Sequence, residues 1–246
     1  MLSIIPTVVN GMPRRDPTIS LAPVCLIVGC GPGIGYSLAR TWGVQGHQAV
    51  MVRRSAMSSQ EVEDLVGRGA VAVQCDITNQ EQTKLMVEKV EKEFGPIETL
   101  LYNAGAGVWK KYNEVSLAEF DRCMDSNTRG LLIASQAICP KMVKRGRGVV
   151  GITGATASLH GQPFTTAFAA AKAAQRSLAE SLAKEVGPHN VHVFYAVIDG
   201  VARPDAVEGG KTMCPRDIAE NYWAISQQRQ SAWSFQVDMR NYCGTW

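Results

Sequence analysis

The sequence has no C-x-x-C pair. Its seven cysteines, at positions 25, 30, 75, 123, 139, 214 and 243, are odd in number and scattered. That excludes the common zinc and dithiol motifs, and no metal site is expected. Cysteines inside apolar runs such as "PVCLIVGC" behave as small hydrophobes, so reduced thiols in a reducing, cytoplasmic compartment are the expectation. No apolar run approaches the roughly 18 residues needed to span a bilayer. A net charge of +3 is too small to make nucleic acid or an anionic membrane the main partner. Repeats, linkers and low-complexity tracts are missing as well, which argues for one domain over residues 23–246. Residues 1–22 carry no basic region ahead of an uninterrupted apolar core. They read as an N-terminal extension and a poor secretory signal, with organelle targeting left open. The closing "NYCGTW" holds none of the common lipidation or address signals.

What is present is alternation. Apolar runs fall at 24–29, 48–54, 70–76, 97–105, 148–154, 191–200 and 233–240. Between them lie helix-like stretches: 34–46, a polar candidate at 58–69, a charged one ending at Gly95-Pro96, a long one over 117–144, and another over 165–187 that stops at Gly187-Pro188. Buried strands alternating with helices predict an α/β fold, a single doubly wound parallel sheet of about seven strands, of Rossmann type.

The first strand runs into "GCGPGIG", which fits G-x-x-x-G-x-G through Gly29, Gly33 and Gly35, with Gly31 between and Ile34 before the last. Such a loop makes a tight strand-to-helix turn and lets a pyrophosphate approach the backbone at a helix N-terminus. Alone it is weak evidence, because any strand-to-helix turn can be rich in glycine. The second strand ends in Arg53-Arg54, where an NAD-type site would place an acid for the ribose 2′-hydroxyl. Two guanidinium groups suit a 2′-phosphate instead, unless they are an ordinary solvated pair. Asp76-Ile77 and Asn103-Ala104-Gly105 end the third and fourth strands, at the sheet edge where ligands bind in open α/β sheets.

Together these segments resemble the short-chain dehydrogenase/reductase family over about residues 23–240. "VGCGPGIG" is similar to its T-G-x-x-x-G-I-G loop, with Val28 for the Thr, "CDIT" to its D-V/I-T element and "YNAG" to its N-N-A-G. Asn127 in "DSNTRG" matches its catalytic-helix Asn, Lys172 its active-site Lys, and "IDG", ending at Gly200, its Pro-Gly turn beside the nicotinamide. The resemblance implies a nicotinamide cofactor, which Arg53-Arg54 make NADP(H), an unknown carbonyl or alcohol as substrate, a substrate loop between Gly200 and Pro215, and a homo-dimer or homo-tetramer built on the two long helices. Asn127 and Lys172 would be the catalytic pair, with Lys172 also on the nicotinamide ribose.

The pattern then breaks. Four residues before Lys172, on the same helical face, the family has a proton-transferring Tyr. This chain has Phe168. The family's substrate-binding Ser falls at Gly154 or Ala155. Thr153, His160 and Asp199 are candidate substitutes on neighbouring segments, with Thr156 and Ser158 beside them, while Tyr195 reads as core. Only His160 has an ordinary pKa near neutrality. Two functions stay open: an NADP(H)-dependent oxidoreductase with an atypical active site, or an NADP(H)-binding sensor, regulator or scaffold subunit without turnover.

Overall fold

The computed structural model describes residues 22–57, 70–207 and 210–244. The helix expected over 58–69 and nearly all of the N-terminal extension lie outside the described residues. Seven strands form one parallel sheet: β1 (Val24–Val28), β2 (Gln48–Arg53), β3 (Val71–Gln74), β4 (Ile97–Tyr102), β5 (Gly148–Thr153), β6 (Val191–Asp199) and β7 (Gln236–Arg240). Their order is β3-β2-β1-β4-β5-β6-β7, with every neighbouring pair parallel. The helices are α1 (Ile34–Val44), α2 (Gln80–Phe94), α3 (Leu117–Met124), α4 (Gly130–Arg145), α5 (Thr166–Val186) and α6 (Pro215–Ser226).

Alternation along each strand explains why the sheet is covered twice. Val24, Leu26 and Val28 of β1 face one way, with Leu100 and Tyr102 of β4 and Val193 and Tyr195 of β6, and join a core containing Met86 of α2, Leu131 of α4 and Ala179 of α5. Cys25 and Ile27 face the other way, with Leu101, Phe194 and Ala196, and pack with Leu38 and Trp42 of α1 and Ile218 and Tyr222 of α6. β1 has no exposed position, as a strand buried on both faces requires. All seven cysteines are free thiols, and five of them are buried.

The helix expected over 117–144 is not uniform. α3 opens with a capping box between Ser116 and Glu119. It then gives way to a π-turn at Asp125–Arg129 before α4 begins. The π-turn is braced by the Tyr102 hydroxyl, which donates to Ser126 O at 2.7 Å. A methyl group at Gly130 would run into that same hydroxyl, so the small residue lets the brace form. Residue periodicity cannot show a single wide turn, because it shifts the helical register by one residue only. The wide turn carries Asn127.

The order of strands reverses between β1 and β4, the point where two windings of the sheet part. Crevices outside the carboxyl ends of strands at such a switch point are where open α/β sheets hold ligands.

Candidate active site

The glycine loop closes this crevice from one side. Gly29 has φ 84°, and a methyl group there would collide with the Asn103–Ala104 backbone. Asn103 ties the two strands together: its N–H donates to Val28 O at 2.8 Å and its Nδ2 to Gly29 O at 2.9 Å. At Gly35 a methyl group would come within 2.8 Å of both the Cys30 Cα and the Gly29 carbonyl oxygen. These two glycines are packing requirements. Gly31 and Gly33 are different: a methyl group at either would meet nothing within 4 Å among the described residues, although Gly33 needs its φ of 117°. Protein packing leaves the space over Gly31 and Gly33 open, in front of Ile34 and the start of α1. That is the cradle a pyrophosphate group fits.

Beside the loop is a cleft of about 200 Å³ whose walls include Gly29, Arg53, Arg54, Asp76, Asn103 and Gly105. Ile77, Thr78 and Ala104 also border it. The Asp76 carboxylate accepts from Thr78 N–H at 3.0 Å and from the Thr78 hydroxyl at 2.8 Å, which closes an Asx turn. The Arg53 guanidinium holds the segment after β2, donating to Ala56 O at 2.6 Å and Ser55 O at 3.2 Å, and reaches the Tyr36 hydroxyl at 3.4 Å. Arg54 is exposed.

At the inner end of the crevice stands Lys172, 5% exposed. Its Nζ donates to Thr153 O at 2.7 Å and to Gln175 Oε1 at 3.0 Å. Burial lowers its pKa to about 7. Asn127, fully buried, donates from Nδ2 to Ala106 O and Cys123 O, both at 2.8 Å, while its Oδ1 has no partner among the described residues. A buried acceptor left unpaired costs free energy, so such groups are kept for a reason. Gly105 explains the spacing: a methyl group there would lie 2.8 Å from Asn127 Oδ1 and 3.7 Å from Lys172 Nζ. Gly105, Asn127 and Lys172 therefore face one small volume.

Phe168 sits one turn before Lys172 and packs its ring against Trp109, centroids 5.4 Å apart. The site thus has an apolar wall where a phenol is expected. Of the two positions open to the family's Ser, Gly154 and Ala155, the first is closed from behind. A methyl group at Gly154 would run into the ring of Tyr195 and lie 2.8 Å from its hydroxyl oxygen. Tyr195, fully buried on β6, is core as expected, and its ring occupies the room a residue-154 side chain would need.

The substitute candidates disperse. Thr153 accepts at Oγ1 from the Tyr222 hydroxyl at 2.9 Å while its carbonyl takes Lys172. His160 is exposed on the loop after β5. The Asp199 carboxylate is paired with the Arg240 guanidinium at 3.3 Å. Gly200 follows it at φ 148°, against Met213. Part of the expected substrate loop, including Ala206, Thr212 and Cys214, lines a larger cleft of about 870 Å³ between α6 and β7. That cleft shares no residue with the Lys172 cluster. Two members of the site went unread in the sequence, Gln175 and Tyr222. The available signal for Gln175 was a polar residue three positions after Lys172 in an alanine-rich helix.

A doubly wound parallel sheet with a glycine cradle at its switch point and an Asn–Lys pair beside it defines a dinucleotide-binding oxidoreductase architecture. The family model described as short chain dehydrogenase matches residues 23–210, and the chain belongs to that family. It is 30% identical over 209 residues to an uncharacterised oxidoreductase of Staphylococcus saprophyticus, covering 80% of this chain and 88% of that protein. It is 28% identical over 186 residues to the 7alpha-hydroxysteroid dehydrogenase of Escherichia coli K12, covering 74% and 72%. Among solved structures, a short-chain dehydrogenase from Rhodopseudomonas palustris superposes with a TM-score of 0.78 at 28% identity, over 90% of this chain and 99% of that one. A metagenomic short-chain oxidoreductase in complex with NADP superposes equally well, at 0.78 and 23% identity, over 89% and 97%.

Proposed function

We propose that this chain is an NADP(H)-dependent oxidoreductase for a small carbonyl or alcohol, in which Lys172 holds the transferable proton. The observation that carries this reading is the buried Lys172 Nζ, which shares one small volume with the unpaired Asn127 Oδ1 and with Gly105 at the switch-point crevice. The residues present fit a bound dinucleotide: the open space over Gly31 and Gly33 suits the pyrophosphate, and Asp76 and Ile77 the adenine end. Arg54, with Arg53 beside it, suits a 2′-phosphate, and the NADP complex of the similar metagenomic oxidoreductase supports that choice. When bound, the nicotinamide supplies or accepts hydride.

The chain's own residues supply the rest. A carbonyl that gains hydride also needs a proton, and the best donor has a pKa near working pH. Lys172, lowered to about 7, populates both forms near neutrality. Phe168 and Trp109 give the substrate an apolar wall. The resemblance also supports a homo-oligomer paired through the α3–α4 and α5 surfaces, where Leu117 and Leu132 are exposed.

The test is a fluorescence titration with NADPH and NADH, followed by NADPH turnover on a panel of aromatic and aliphatic carbonyls. Binding with turnover that disappears in Lys172→Met supports the proposal. Tight NADPH binding with no turnover on any carbonyl would overturn it and leave a cofactor-binding subunit without chemistry.

A further inference from the structure

We propose that Gln175 is a positioning residue of this site: its carboxamide clamps the Lys172 ammonium and ties it to the π-turn that carries Asn127. The inference rests on the reading of Lys172 given above only for its catalytic consequence. Gln175 is fully buried on α5. Its Oε1 accepts from Lys172 Nζ at 3.0 Å, and its Nε2 donates to Asn127 O at 2.9 Å. Both partners force the same orientation of the amide. An ammonium only donates and a carbonyl only accepts, so Oε1 must face Lys172 and Nε2 must face Asn127. A carboxylate could serve the first contact but not the second, and an aliphatic side chain neither.

The clamp has a geometric result. Lys172 Nζ has three hydrogens, and Thr153 O and Gln175 Oε1 take two of them. The third is left for the volume beside Gly105 and Asn127 Oδ1. Without Gln175 the ammonium would keep a single fixed acceptor and could rotate away. The titratable side chains packed around the clamp are Tyr195 from β6, Tyr222 from α6 and Cys123 from α3. Burial pushes all three up, Tyr195 to about 12, so none changes charge near neutrality. The Tyr195 hydroxyl also donates to Gln175 Oε1 at 3.4 Å.

The decisive readout is the titration midpoint of Lys172, followed by NMR in the full chain labelled at lysine side chains, with Lys172→Met to assign the resonance. Gln175→Leu removes an acceptor of the charged form and should lower the midpoint by roughly one pH unit. Gln175→Glu places an anion there and should raise it. NADPH affinity, lost as pH rises through the midpoint, should follow the same order. A residue that only filled space would change affinity without moving either profile. Midpoints unchanged in both variants, with parent-like circular dichroism, would overturn the proposal. If Gln175→Leu does not fold, the upward shift expected for Gln175→Glu decides it alone. A parent protein that binds no NADPH would sink the cofactor reading, while the NMR midpoints would still judge the clamp.

Discussion

Rebuilding the missing proton-transfer group is less simple than the motif suggests, because the Ser falls at Gly154 or Ala155 and the first of these has no room for a side chain. Phe168→Tyr places a phenol one helical turn before the Lys172 ammonium, which favours the phenolate and lowers the phenol pKa from about 10. General-acid help of that kind is worth roughly 10²- to 10⁴-fold in rate. Restoring the Ser at Gly154, one of its two candidate positions, is another matter. Its Cβ would fall against the ring of Tyr195, which is fully buried. Overpacking of this kind costs about 1–3 kcal/mol, or a melting point lower by about 2–4 °C per kcal/mol in a domain of this size. Tyr195→Ala opens the space, at its own cost of about 3–5 kcal/mol for the cavity. In that background Gly154→Ser should cost nothing further, and Phe168→Tyr should add its full rate gain. Tyr195→Phe keeps the ring and should keep the penalty. The assays are thermal unfolding of each single and double variant, and NADPH turnover on activated carbonyls. Equal penalties for Gly154→Ser with and without the Tyr195 ring would refute the steric account. Brisk turnover by the parent that falls in Phe168→Tyr would refute the expected rate gain and show that the apolar ring matters more to the substrate than a phenol there.

Three further outcomes are expected. NADPH should bind more tightly than NADH, and Arg53→Ala/Arg54→Ala should erase the preference; equal affinities in the unmodified protein would make the pair surface charge only. Gly31→Val should melt like the parent yet bind NADPH at least about tenfold more weakly, because its side chain points into space only a ligand would use. Gly29→Ala should be destabilised outright, and a Gly31→Val variant with unchanged affinity would empty the cradle of its meaning. Lys172→Met should weaken NADPH binding and also raise apo-protein stability in a pH-dependent way. Lys172 is protonated below about 7 when folded but below about 10.5 when unfolded, so its burial penalty is full below pH 7 and fades as pH rises through that window. The gain in melting temperature should therefore be larger at pH 6.5 than at pH 10, and a gain independent of pH would mean that Lys172 is not the buried cation described.

Much of the fold was legible in sequence because its determinants are local. Continuous apolar runs such as "VCLIV" demand burial on both faces, glycines at 29, 33 and 35 permit a turn that bulkier residues cannot make, and Asp76 closes a turn with a residue two places on. The four-residue spacing put Phe168 and Lys172 on one helical face, and the resemblance to the family marked that ring's place as a phenol's. The tertiary structure decided the contacts between residues far apart in sequence. It set Tyr195 of β6 behind Gly154 of β5, Arg240 on Asp199, and Gln175 between Lys172 and the Asn127 carbonyl. These depend on strand order and on which face each residue turns to a neighbour, and the π-turn that carries Asn127 resets that facing by one residue without any mark in the hydrophobic pattern. The state of Lys172 belongs to the same class: the sequence named the residue, but its charge is set by how much water the folded sheet and α5 exclude.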